Sequence, residues 1–126
     1  MITEIRNKIT SVLGTVTSNF FYQVAPKGQS FPYCVYNFYA NEVGDIDTKD
    51  AFEDIYFQVS SYQRTDGLVE SLASSIEVAF LAGDFDTTNY TCLSKRKIKR
   101  VPFPPEIEVK ESRTLITEFY IYYKKI

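Results

Sequence analysis

The chain has 126 residues, 44% apolar and 24% charged, with ten Phe, ten Tyr, no His and no Trp. That length suits a single globular domain over residues 1–126, and the aromatic load excludes disorder as the main state. The lack of His removes His-based triads, Cys–His dyads and His-containing zinc sites, and no apolar run reaches the roughly 18 residues of a membrane span. Met1-Ile2-Thr3-Glu4 carries an acid early with no hydrophobic run, which predicts no Sec leader and a protein made in the cytoplasm.

The formal charge of −2 hides an uneven distribution. Residues 1–94 hold 5 basic and 12 acidic groups, net −7, and residues 95–126 hold 9 basic and 4 acidic groups, net +5. Such polarity favours contact with nucleic acid, with an acidic partner, or head-to-tail with another copy of the chain.

Ile2, Ile5, Ile9, Val12, Leu13 and Val16 recur at spacings of three and four, which predicts an amphipathic first helix ended by Gly14. A short strand at 20–22 enters a turn at 25–30. Residues 31–39 read as a strand apolar on both faces and therefore covered on both sides. Residues 41–50 form an acidic connection. In the strand at 51–62, Ile55, Phe57 and Val59 point one way and Asp54, Tyr56, Gln58 and Ser60 the other. Thr65 or Asp66 caps a second helix over 66–82, whose buried face is Leu68, Val69, Leu72, Ala73, Ile76, Ala79 and Phe80, with Gly83 at C′. A long strand follows at 89–101, broken by the prolines at 102–105. The last strand, 115–123, turns Leu115, Thr117, Phe119, Ile121 and Tyr123 inward. The fold class is α+β: one mainly antiparallel sheet with two amphipathic helices packed on one face.

Candidate chemistry is sparse. Cys34 and Cys92 read as small buried hydrophobes. The segment Asp45-Ile46-Asp47-Thr48-Lys49-Asp50 departs from a calcium loop at its fifth, sixth, seventh and twelfth positions and reads as a solvated acidic loop, as does Asp84-Phe85-Asp86. Glu53, Asp54 and Glu118 could meet across strands, but wet-face carboxylates are the simpler reading. No catalytic constellation and no cofactor or metal site is nominated.

The basic run Lys95, Arg96, Lys97, Lys99 and Arg100 is the most informative local feature. Strand alternation puts Lys95, Lys97 and Lys99 on one face and Arg96, Ile98 and Arg100 on the other. Charges on both faces imply a projecting hairpin arm or a sheet edge. The run could protect an edge, meet an acidic patch on a neighbouring subunit, or contact phosphates. The acidic candidates for a subunit contact are Glu42, Asp45, Asp47, Asp50, Glu53 and Asp54.

The order of features carries a resemblance. An amphipathic helix leads into Val24-Ala25-Pro26-Lys27-Gly28-Gln29-Ser30-Phe31-Pro32-Tyr33-Cys34-Val35-Tyr36. An acidic loop, the strand Asp54-Ile55-Tyr56-Phe57-Gln58-Val59-Ser60-Ser61-Tyr62, a helix, a basic strand and a Tyr-rich strand follow. This resembles the small tail-terminator, or head–tail joining, proteins of long-tailed bacteriophages. The resemblance implies a homo-oligomeric, hexameric ring at the head–tail junction of the virion. Its partners would be the tail tube protein, the head-connector protein and non-specifically passing DNA, with no catalysis, no cofactor and no membrane. The other readings are a small nucleic-acid-binding accessory protein using residues 95–100, or another neck or head-completion protein.

Overall fold

The computed structural model describes residues 3–39, 52–103 and 112–126. Helix α1 (Thr3–Leu13) is followed by strands β1 (Phe20–Tyr22), β2 (Tyr33–Phe38) and β3 (Phe52–Gln63), helix α2 (Asp66–Ala82), and strands β4 (Tyr90–Phe103) and β5 (Arg113–Lys125). They form one five-stranded sheet in the order β1-β2-β3-β5-β4. All neighbours are antiparallel except β1 and β2, which run parallel. The expected α+β class is the observed one.

The two helices cover one face of this sheet. Ile5, Ile9 and Leu13 of α1 and Leu72, Ile76 and Phe80 of α2 share a core with Phe20, Cys34, Tyr36, Ile55, Phe57, Val59, Phe119, Ile121 and Tyr123. The alternation read for β3 and β5 is the alternation seen. Strand β2 is covered on both sides at its centre. Cys34 and Tyr36 lie under the helices, and Val35, only 8% exposed, looks the other way towards Val24, Ala25 and Pro26 of the β1–β2 connection. That connection turns at Gly28, whose φ of 77° suits glycine, with Gln29 N–H donating to Pro26 O at 3.1 Å.

Four expectations are corrected. Leu68 is 49% exposed and does not join the α2 core face, because it sits in the first turn beyond the sheet contact. Gly83 has φ −77° and is not a left-handed cap. Its role is close approach, since a Cβ there would lie 2.4 Å from Val12 Cγ1 and 2.9 Å from Ala79 O. Strand β4 does not break at 102. Pro102 pairs with Leu115 and the ladder reaches Phe103, as an edge strand can tolerate a residue without an N–H. Phe85 is not in a solvated loop. It is 1% exposed against Phe80, and its carbonyl accepts the Tyr123 hydroxyl at 2.8 Å.

Thr65 is the N-cap of α2, accepting the Leu68 N–H at 3.2 Å. Glu4 in the first turn of α1 ties the chain between α2 and β4. It accepts from the Thr87 hydroxyl, from Asn89 N at 2.9 Å and from Asn89 Nδ2 at 2.8 Å. These donors, Thr87 first, hold its carboxyl below its ordinary value of 4.5.

Two predictions follow from this packing. Gly83→Ala should destabilise the fold by about 1–3 kcal/mol in urea unfolding, because Val12 and the last turn of α2 must move to admit the methyl. Glu4 contributes stability that is complete above about pH 4.5 and is lost as pH falls through its lowered folded value. The acid limb of a stability–pH curve should therefore be shallower in Glu4→Gln, with its stability deficit largest near neutrality.

Candidate functional site

The basic run lies on β4, which is a sheet edge and not a projecting arm. The register is interrupted between Cys92 and Ser94 and again between Lys97 and Lys99. The second irregularity breaks the simple alternation. Lys95 lies opposite Ile121, Lys97 opposite Phe119 and Arg100 opposite Thr117, all on the helix-covered face. Arg96 lies opposite Tyr120 and Lys99 opposite Glu118, on the other face. The expected grouping of Lys99 with Lys95 and Lys97, and of Arg100 with Arg96, is thus reversed by one extra residue at Ile98.

The three inner cations are held by α2 and the segment after it. The Lys95 ammonium donates to Gly83 O and stands 5.1 Å from the Phe85 ring centroid and 5.8 Å from that of Phe80. Glu77 of α2 takes two cations on one carboxylate, Arg100 Nη2 at 2.6 Å and Lys97 Nζ at 3.4 Å. Arg100 Nη1 also reaches Ser74 Oγ at 3.5 Å. Without the extra residue at Ile98, Lys97 and Arg100 would point to opposite faces and could not share a carboxylate.

The outer pair faces an aromatic surface. Tyr39, just after β2, Tyr56 of β3 and Tyr120 of β5 lie side by side at centroid separations of 6.0 and 4.9 Å, and the Arg96 guanidinium closes the row 5.1 Å over Tyr120. The Tyr39 hydroxyl donates to Glu118 Oε1 at 2.9 Å and the Tyr120 hydroxyl to Asp54 Oδ1 at 2.6 Å. Burial, and then these carboxylates, push both phenols well above the ordinary tyrosine value. Further rings stack at either end of the face, Phe52 on Tyr122 at 5.7 Å and Tyr33 on Tyr62 at 4.6 Å. Among the described residues no helix covers this face. The aromatic load expected to fill the core is thus divided between the two sides of the sheet. The signal was present in the sequence as Tyr56, Tyr120 and Tyr122 at the polar phase of two alternating strands.

Of the acidic candidates, Glu42, Asp45, Asp47 and Asp50 lie outside the described residues. Asp54 is on the aromatic face beside Tyr120, and Glu53 is on the opposite face beside Tyr123 in the ladder. Burial pushes the Glu53 carboxyl up. Glu53 is therefore separated by the sheet itself from Asp54 and Glu118, and these three do not form one cluster. Among the described residues, no three acidic or sulfur side chains are grouped as a metal site. Cys34 is buried with its thiol pushed up to about 11 by desolvation, and Cys92 is half-buried with its thiol also raised. No helix of the described residues is long and apolar enough to cross a membrane.

No family model matches the chain, and no curated protein matches it. Among solved structures, the chain is similar to one described as "Virion of native gene transfer agent (GTA) particle", with a TM-score of 0.67 and 13% identity. The superposition covers 97% of this chain and 92% of that chain. At that identity the likeness shows the fold.

The Glu77 clamp yields a third prediction. Glu77→Gln should cost about 1 kcal/mol in denaturant unfolding at low ionic strength, and the difference should shrink as salt is added, because the two ion pairs are partly exposed.

Proposed function

We propose that this chain is a structural subunit of a phage-like virion, which caps the tail tube and joins tail to head as a homo-oligomeric ring, hexameric in its finished form. The observation that carries the reading is the match of nearly the whole chain, and nearly the whole of the other, to a chain of a gene transfer agent virion. The sequence resemblance to tail terminators supports the finer assignment. In this reading the protein works by the shape and polarity of its surfaces and turns over no substrate. Its partners are other copies of itself, the tail tube protein, the head-connector protein and passing DNA, and it resides at the head–tail junction.

A closed ring needs heterologous contacts, in which one patch meets a different patch on the next copy. The net −7 and +5 parts of the chain supply opposite signs on one subunit. We assign β4, through Lys95, Arg96, Lys97, Lys99 and Arg100, to one side of the subunit contact or to the DNA channel. The acidic residues Glu42, Asp45, Asp47, Asp50, Glu53 and Asp54 are candidates for its counterpart, alongside the carboxylates of α2. The alternative, a monomer binding nucleic acid through β4, fits the geometry less well. Three of the five cations already engage α2 or the segment after it, which leaves Arg96 and Lys99 for phosphates.

Native mass spectrometry of the purified protein, alone and mixed with tail tubes, tests the reading. A ring-sized oligomer, free or seated on tube ends, is the expected result. A chain that stays monomeric under both conditions, or that retains duplex DNA as a monomer with a steep salt dependence, would overturn it.

A further inference from the structure

We infer that the aromatic face of the sheet is a docking surface for the outer side of α2 from a second copy of this chain; this rests on the homo-oligomeric reading above. Among the described residues the sheet carries helices on one face only. An antiparallel sheet can leave its other face to water, but such a face is ordinarily polar, and this one carries a row of rings. Tyr39, Tyr56, Tyr120 and Arg96 are held in place by each other and by Glu118 and Asp54, so the surface is rigid before any partner arrives. Preformed Tyr and Arg surfaces are the usual anchors of protein interfaces.

Nucleic acid is the poorer occupant. The rings lie against one another, so their faces are not free for bases, and two carboxylates stand among them. A protein partner should bring apolar side chains for the ring edges and a carboxylate for the free edges of Arg96 and for Lys99.

Helix α2 carries both. It contains Asp66, Glu70 and Glu77 and no basic residue. Its outermost line, Ser71, Ser74, Val78 and Leu81, is uncharged, and Val78 and Leu81 are 67% and 51% exposed. Asp66 is paired with Arg113 and Glu77 is taken by Lys97 and Arg100. Glu70, exposed on the flank of that line, makes no ion pair among the described residues. Arg96 and Lys99 are the matching cations, exposed and without a carboxylate within 4.0 Å among the described residues. Docking α2 of one copy on the sheet of the next joins two different patches, as a head-to-tail ring requires.

The test is a charge-reversal cycle on the whole chain, read by native mass spectrometry at low salt with and without tail tubes. Glu70→Lys alone, and Arg96→Glu with Lys99→Glu, should each weaken association at least tenfold. The three changes combined in one chain should restore most of it. All three positions are exposed, and unchanged circular dichroism verifies the fold. If the unaltered chain assembles but neither reversal weakens it, or the combination restores nothing, the docking is wrong while the ring reading stands. If the unaltered chain never assembles, even on tail tubes, both fall.

Discussion

The structure is organised around the contact of Phe80 with the sheet. Its ring centroid lies 4.4 Å from Phe119, 6.0 Å from Phe57 and 5.2 Å from Phe85, and Phe57 and Phe119 stack on each other at 5.3 Å across β3 and β5. All four rings are buried. Each contributes on the order of 1.5–3 kcal/mol by leaving water, and their edge and offset contacts add to that. This cluster fixes the position of α2 over the two central strands. Helix α1 then closes beside it, with Val12 against Gly83, where only a residue without a side chain leaves room.

Much of the chemistry at the edge of the sheet follows from where α2 is pinned. Its flank stands above β4 and presents Glu77 to Lys97 and Arg100. The segment leaving it presents Gly83 O and the rings of Phe80 and Phe85 to Lys95. A strand that reads as uniformly cationic is therefore sorted by the helix into an inner set with internal counter-charges and an outer pair facing the rings. The irregularity at Ile98 makes the sorting possible, since it returns Arg100 to the side of Lys97. The same features suit an unpaired edge: lysines, two irregularities and a proline all discourage indiscriminate strand addition.

The two faces of the sheet use aromatic residues differently. Under the helices, Phe57, Phe80, Phe85 and Phe119 fill volume and leave no polar group to satisfy. On the face that no described helix covers, Tyr39 and Tyr120 place their hydroxyls on carboxylates. Tyrosine can be half-buried at modest cost for this reason, whereas phenylalanine there would expose more apolar surface. A face built in this way stays wet when alone and offers large, stiff contact area to a partner.

Much of the fold was legible in the sequence because it depends on local periodicity. The spacing of Ile5, Ile9 and Leu13, the alternation of β3 and β5, and the cap at Thr65 each follow from geometry within a few residues. The polarity between residues 1–94 and 95–126 was equally visible. What the sequence did not disclose was set by contacts between distant segments. That Phe85 is a core residue depends on Phe80 and Tyr123. That Pro102 continues a strand depends on β4 being the outermost one. That Lys99 and Arg100 exchange faces depends on a one-residue register change against β5, which no pattern in β4 marks. Residue order determined the elements and their inward phases, because each element's own backbone imposes its period. Tertiary structure alone decided which charges are neutralised and which rings face away from the helices, because those depend on what lies across the sheet and above it.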